Sequence, residues 1–157
     1  MGGLHYAACV GCVELTIALL SRGLIDIDEL HQEVLSPLTY AAIVDHATVA
    51  RILASRGANV SIASAKEEGL TALRLSAQRG HVGVAEVLII KAGADPEAIF
   101  SAEGATPLHS AAEGHWKVMR VLIEPGAMST AAAAARRGGT AVHRFYTRRL
   151  RGGTSRR

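Results

Sequence analysis

Apolar residues recur along this chain in short runs with helical spacing. Apolar side chains at intervals of three and four residues lie on one face of a helix, and the runs Val49–Leu53 and Val84–Leu88 have this spacing. Each run ends close to a glycine, which stops a helix. Because a helix with one apolar face needs a neighbour to cover it, the pattern predicts several short amphipathic helices that pack against one another.

The predicted helices belong to a unit that repeats about every 35 residues. Leu38, Leu73, Leu108 and Val142 occupy equivalent positions in successive copies, at separations of 35, 35 and 34 residues, and Leu4 marks an earlier copy. Self-similarity with a period of this length is typical of stacked repeat proteins. The sequence therefore predicts a repeat architecture along the whole chain.

Each copy carries the signals of two helices. Ser36 and Thr106, each followed by Pro, can cap the free amides of a first helix, and Pro is tolerated at its first position. Small residues line that helix, and a glycine turn leads to a second helix rich in Leu and Val. One such pair cannot bury its apolar faces alone, whereas roughly three or more stacked pairs can. We expect the repeated leucines, such as Leu73 and Leu108, to lie in the resulting core.

The fourth copy shows the unit most fully, and the third copy, from Gly69 and Thr71 to Gly93-Ala94-Asp95, matches nearly as well. The spaced positions of the fourth copy are Gly104, Thr106, Pro107, Leu108, His109, Ala111, Ala112, Gly114, His115, Val118, Val121, Leu122, Gly126 and Ala127. This pattern resembles the ankyrin repeat, and the resemblance covers about residues 4 to 145. It implies an all-α ankyrin-repeat solenoid, in which stacked helix–turn–helix pairs are joined by hairpin-like finger loops. It also implies a concave binding face made from the finger tips and the first helices.

The resemblance divides the chain into a repeat domain and a tail. We expect an ankyrin repeat domain at residues 1–128, with a degenerate fifth repeat start and an Arg-rich tail at 131–157 that is partly disordered. The repeats are expected at about residues 1–30 (partial), 31–64, 65–99 and 100–130.

Four departures from the family pattern carry structural predictions. Val34 replaces a turn glycine, which can distort the finger before Ser36. Asp45 replaces the glycine that ends a first helix, and Asp adopts the left-handed conformation more readily than most residues. Only Glu113 separates Ala112 from Gly114, where the family has two residues, and one extra residue precedes Gly93. We expect helix ends to absorb both length changes.

The histidines mostly occupy positions that the resemblance explains. Those in the motif position after Pro-Leu are expected to form hydrogen bonds within and between turns, and those after the turn glycine to help start the second helix. His31 lies outside both positions, in a finger, and is interpreted as a solvated or partner-contacting residue. The first set is His5, His109 and His143, and the second is His46, His81 and His115.

The sequence does not favour catalysis, a metal or a cofactor. It contains no G-x-S-x-G, Walker-type or G-x-G-x-x-G motif. Glu67 and Glu68 are consecutive acids on a finger, where they resemble a solvated turn more than an acid–base pair. Cys9 and Cys12 form a C-x-x-C pair whose redox or zinc role is a minor alternative to two half-buried thiols. The chain is predicted to be a non-enzymatic protein.

Partner binding is predicted for positions that flank the repeat consensus, because the family geometry directs them toward the concave face. The set is apolar near the N-terminus and charged toward the middle, which favours a partner with an apolar anchor and some basic character. Trp116 is expected to pack beneath a loop. On the fingers the predicted residues are Gln32, Glu33, Leu35, Glu67, Glu68, Leu70, Ala102, Glu103 and Ala105, and on the first helices they are Cys9, Val10, Ile43, Val44, Gln78, Arg79 and Glu113.

The charge of the chain is unevenly distributed. All 14 acidic residues lie at or before Glu124, whereas the segment 136–157 holds eight arginines and no acid. An alternative function is therefore a nucleic-acid-associated or nuclear protein that uses its tail. The tail arginines considered for this role are Arg144, Arg148, Arg149 and Arg151.

The N-terminal segment is apolar but does not resemble a targeting or membrane segment. No Lys or Arg precedes the apolar run and Glu14 interrupts it, which argues against a secretory signal. A cytoplasmic or nuclear location without membrane association is the default expectation. Because the first repeat opens without a polar cap, we expect a monomer or a segment of a longer array.

Overall fold

A computed structural model describes residues 2–23, 25–32, 35–63, 70–98, 106–112 and 114–123. The chain divides into two compact units, Met1–Leu122 and Ile123–Arg157, and the described part of the second is Ile123. No strand occurs among the described residues. Their helices are α1 (Gly3–Val10), α2 (Val13–Ser21), α3 (Pro37–Ile43), α4 (Ala47–Ser55), α5 (Ala72–Arg79), α6 (Val82–Glu86) continued by a π-helical turn (Val87–Lys91), α7 (Pro107–Ala111) and α8 (Trp116–Ile123).

The helices form two layers. Helices α1, α3, α5 and α7 pack side by side in one layer, and α2, α4 and α6 with its π turn pack in the second. Within each of the first three repeats, the two helices also pack against each other. The predicted all-α solenoid of stacked helix pairs is thereby confirmed.

The first helices begin as the sequence predicts. The backbone N–H of Thr39 donates to Oγ of Ser36 at 3.3 Å, and the N–H of Arg74 donates to Oγ1 of Thr71 at 3.3 Å. These bonds satisfy amides that would otherwise lack a partner at a helix start. The α7 start differs, because the N–H of Thr106 donates to Nδ1 of His109 at 3.2 Å.

Asp45 ends the first helix of the second repeat in the left-handed conformation, with φ of 60°. Gly11 and Gly80, at the equivalent positions, have φ of 77°. The prediction that Asp45 can replace a turn glycine is confirmed.

The missing residue before Gly114 shortens both a helix and its turn. In the third repeat the N–H of His81 donates to the carbonyl of Ser76, five residues back, at 2.9 Å. In the fourth, the N–H of His115 donates to the carbonyl of Ala111, four residues back, at 2.9 Å. Helix α7 therefore has five residues where α5 has eight. The deletion is absorbed at the helix end, as expected.

The extra residue before Gly93 is also absorbed at a helix end, by a wider turn. The segment Val87–Lys91 is π-helical, and the N–H of Ala92 donates to the carbonyl of Val87 at 3.2 Å. The N–H of Ala94 reaches back six residues to Leu88 at 2.9 Å, whereas Ala58 reaches back five to Leu53 at 3.1 Å. A π turn accommodates one additional residue, so the chain returns to the same path.

A continuous aliphatic core runs through the stack. Alanines of the first helices, such as Ala41, Ala42 and Ala77, are fully buried and allow the helices to lie close together. Leu73 is buried as expected, but Leu108 is only partly buried against the core. Helix α5 of the third repeat packs against one side of α7. The segment that follows α8 lies outside the described residues.

None of the described helices is long and apolar enough to cross a membrane.

Candidate functional site

The residues at the C-terminal ends of the first helices, directly before each turn, form a row across the stack. Val10, Val44 and Arg79 each precede the left-handed residue of their turn, on helices that pack side by side. Val10 is 55% exposed, Val44 is 37% exposed, and Arg79 is also exposed. The structure therefore brings these three predicted residues together as one surface, which we call the inner row.

The preceding residue of each helix extends the inner row. Cys9 and Ile43 are half-buried, and Gln78 is exposed. The inner row is thus apolar in the first two repeats and polar and cationic in the third. Such a surface can contact a partner through apolar burial at one end and a guanidinium at the other.

The fingers are described in part. Gln32 is exposed and has φ of 54°, an uncommon value for a residue other than glycine. Leu35 is half-buried, and its carbonyl accepts the N–H of His31 at 3.0 Å in a bridge that closes the finger. Leu70 is half-buried. The remaining predicted residues lie outside the described ones: Glu33, Glu67, Glu68, Ala102, Glu103, Ala105 and Glu113, with Val34, His143 and the tail residues Arg144, Arg148, Arg149 and Arg151.

His31 is half-buried in an aromatic cluster, so it is not the freely solvated residue that the sequence suggested, and partner contact stays a prediction. Its Nδ1 lies 3.2 Å from the hydroxyl oxygen of Tyr40, and its ring centroid lies 5.8 Å from that of His5. Tyr40 meets His5 edge-on, with centroids 5.7 Å apart. The cluster fastens the first finger to helices α1 and α3.

His5 departs from the hydrogen bonding expected at its motif position. It is 1% exposed, and neither ring nitrogen has a hydrogen-bond partner among the described residues. The equivalent His109 meets the hydroxyl of Thr106 at 2.8 Å. In the first repeat Gly2 occupies that cap position and offers no hydroxyl. The glycine explains why the expected bond is absent.

The histidines after the turns connect successive repeats. Nε2 of His46 lies 3.2 Å from the carbonyl oxygen of Cys9, and Nδ1 of His81 lies 2.9 Å from that of Ala42. Their backbones precede the second helices, but their side chains do not cap them. The expectation that they help start the second helix therefore misses their main contact, which is with the preceding repeat.

Cys9 and Cys12 are free, half-buried thiols. Sγ of Cys12 lies 3.7 Å from Oε2 of Glu14, on the following helix. Within the described ranges, no three His, Cys, Asp or Glu side chains converge as a metal site.

Trp116 is 58% exposed, so the expectation that it packs beneath a loop is wrong. Nζ of Lys117 lies 5.8 Å from the centroid of the Trp116 ring, within cation–π range. Trp116 is the first residue of α8, directly after the turn from α7, and it is apart from the inner row in sequence.

Burial and the neighbouring charge of Asp95 raise the pKa of Glu97. Asp95 also accepts the backbone N–H of Glu97 at 2.9 Å. Both residues lie in the turn after the third repeat, so the shift reflects local turn structure.

Helix pairs stacked so that each pair packs against the next are the architecture of a solenoid repeat protein. A family model described as ankyrin repeats (3 copies) matches residues 4–99 and 62–133. The chain belongs to the ankyrin repeat family. Ankyrin repeats are generally protein–protein interaction modules, and proteins of the family are generally non-enzymatic.

Curated relatives share the repeats over part of their length. The chain is 31% identical over 114 residues to Ankyrin repeat, SAM and basic leucine zipper domain-containing protein 1 of Callithrix jacchus, and the aligned residues make up 72% of this chain and 24% of that protein. It is 38% identical over 73 residues to human Ankyrin repeat domain-containing protein 63, which covers 46% of this chain and 18% of that protein. The chain thus matches about a quarter or less of these relatives.

Proposed function

We propose that this chain is a non-catalytic scaffold that binds a partner protein through the inner row and the finger loops. The observation that supports the proposal is the exposure of Val10 and Val44 at equivalent positions on neighbouring helices. One exposed valine is ordinary on a protein surface. Two in a row, with Ile43 half-buried beside them, offer an apolar patch that a partner can cover.

The energetics favour an apolar anchor on the partner. Burying a valine side chain contributes about 1.5 kcal/mol or more, and a few well-covered residues carry most of the affinity of an interface. Arg79 adds a guanidinium that favours an acidic group at its end of the inner row. The finger acids Glu67, Glu68 and Glu103 favour basic groups on the same partner.

Replacing both Val10 and Val44 with glutamate is expected to weaken partner binding by about tenfold or more, because two charges would have to be desolvated at the interface. The measurement is recovery of partner proteins from nuclease-treated lysate by the immobilised full chain, followed by titration of a purified partner. The far-UV circular dichroism spectrum should not change, since both side chains are exposed.

The matched control is Ile90→Glu. Ile90 is 67% exposed and lies in the π turn of the other helix layer, so its substitution makes the same chemical change away from the inner row. Equal loss of binding in both variants would refute a specific role for the inner row. Unchanged binding in the double variant would refute the proposal itself.

A second candidate function is binding of a nucleic acid by the tail. It is supported by the eight arginines and the absence of acids in residues 136–157. Phosphate contacts by arginine make binding strongly dependent on salt, because bound counterions are released. In this case the tail would bind the nucleic acid, and the repeats would be the scaffold that carries the tail.

Changing Arg144, Arg148, Arg149 and Arg151 to glutamine in the full chain is expected to flatten the salt dependence of RNA or DNA binding. The slope of log K against log salt should fall by up to about 3 to 4, because each neutralised phosphate contributes about 0.7–0.9 to it. The measurement is fluorescence anisotropy of a labelled single strand at several salt concentrations. An unchanged slope would contradict a role for these arginines.

A further inference from the structure

A small pocket lies between the turns of the third and fourth repeats. Its volume is about 150 Å³, and its lining includes Gly80 and Val82 at the start of α6, with Gly114, Trp116 and Val118 at the start of α8. Val118 is fully buried, whereas the Trp116 ring is more than half exposed. The accessible lining of this open cleft is therefore mixed, with the side chains of Val82, His115 and Lys117 and an aromatic wall, Trp116, that reaches the solvent.

The pocket coincides with the shortened turn. The turn between α7 and α8 lacks one residue, and Gly114 has φ of 145°, whereas Gly80 has 77°. Gly80 and Gly114 have no side chains, and the ring of His115, which also lines the pocket, lies close to Gly80. Val82, the residue equivalent to Trp116, is half-buried. A large exposed ring at this repeat position therefore distinguishes the fourth repeat from the third.

The chemistry of the lining favours one kind of occupant. A cleft of about this volume has room for a leucine- or phenylalanine-sized side chain, and Val82 and the Trp116 ring offer it apolar contacts. Lys117 contributes a cation beside the Trp116 ring, and the exposed Arg79 directly precedes the Gly80 lining. Glu113, the nearest acid in sequence, lies outside the described residues.

We propose that this pocket binds a leucine- or phenylalanine-sized side chain of an acidic peptide segment in a partner protein. The side chain inserts between Val82 and the ring of Trp116, and a flanking carboxylate pairs with Lys117. This second docking point goes beyond the inner row and uses neither Val10 nor Val44.

Trp116 is the single tryptophan of the chain, so its fluorescence reports on the pocket directly. The probes are three acetylated and amidated peptides: Glu-Glu-Leu-Glu-Glu, Glu-Glu-Ala-Glu-Glu and Lys-Lys-Leu-Lys-Lys. We expect a saturable blue shift with the acidic leucine peptide, because insertion covers the ring. The alanine and lysine peptides should bind at least about tenfold more weakly, since each lacks one of the two complementary features.

Charge-reversal variants distinguish binding at the pocket from nonspecific electrostatic attraction of the peptide. Lys117→Glu is expected to weaken binding of the acidic leucine peptide by about tenfold or more. The matched control is Lys91→Glu, which makes the same change at an exposed residue of the π turn and should alter binding less than about twofold. Both variants should keep the circular dichroism spectrum of the full chain.

Three results would overturn the proposal. These are equal responses to all three peptides, equal effects of the two charge reversals, and a blue shift that follows protein concentration without any peptide. The last result would identify a second copy of the chain as the occupant. The Val10→Glu, Val44→Glu variant should retain the peptide response, which keeps this test separate from that of the inner row.

Discussion

Replacing Leu73 with alanine is expected to lower the free energy of unfolding by about 2–5 kcal/mol. Leu73 is 2% exposed, and its helix α5 is packed between α3 and α7. The neighbouring Ala72 and Ala77 are already buried, so the surrounding helices have little room to close the cavity. Urea unfolding of the full chain, followed by far-UV circular dichroism, measures the loss.

Leu108→Ala is the matched control for this prediction. Leu108 occupies the same position in the repeat but is only partly buried, so the substitution removes less buried apolar area. We expect a loss of less than about 2 kcal/mol, because the stabilisation from burial scales with the area removed from water. Equal losses for the two variants would show that position in the repeat, rather than observed burial, sets the cost. A loss below about 1 kcal/mol for Leu73→Ala would contradict its place in the core.

The fold could be predicted from the sequence because its determinants are local and repeated. A cap such as Ser36 or Thr71 acts within three residues, and a turn residue such as Asp45 acts through its own backbone conformation. Each signal occurs several times at one spacing, so the copies support one another. The inner row followed from the same logic, because equivalent residues of stacked helices are neighbours in space.

The contacts of His31 could not be predicted in the same way. The Tyr40 hydroxyl and the His5 ring lie on separate helices, and their meeting with His31 depends on the path of the finger. No period relates the three positions. The missing partner of His5 was not predicted either, although Gly2 stands where later copies have Ser or Thr.

The exposure of Trp116 was missed, and the residue lies just beyond a small length change. One absent residue between Ala112 and Gly114 changes the number of residues spanned by the turn hydrogen bond from five to four. The sequence revealed the deletion but not the direction of the side chain beyond it. The same limit applied to the extra residue before Gly93, which is absorbed by a π turn.

Replacing Gly80 with alanine is expected to lower the free energy of unfolding by about 2–5 kcal/mol. Two costs combine. The left-handed conformation at φ of 77° costs about 1–2 kcal/mol for a residue with a Cβ. The added Cβ would also meet the ring of His115, with Cε1 at 2.9 Å, Cγ at 3.0 Å and Nδ1 closer still, and crowding of this kind costs a further 1–3 kcal/mol or so. Urea unfolding of the full chain measures the total.

Gly93→Ala isolates the first of these costs. Gly93 has φ of 69°, and no heavy atom lies within 4 Å of the place its Cβ would take. The expected loss is therefore the conformational cost alone, about 1–2 kcal/mol. Equal losses for Gly80→Ala and Gly93→Ala would show that the His115 ring moves aside freely.

A double-mutant cycle then assigns the second cost to His115. If the ring resists the new methyl group, Gly80→Ala should destabilise the His115→Ala background by about 1 kcal/mol less than the unmodified chain.

The second repeat offers a comparison, since Asp45 has a Cβ at the equivalent turn position. There His81 uses Nδ1 to reach Ala42, whereas His46, above Gly11, uses Nε2 to reach Cys9. Additive losses would mean that His115 can adopt an arrangement like that of His81, and that glycine is required only for its backbone conformation.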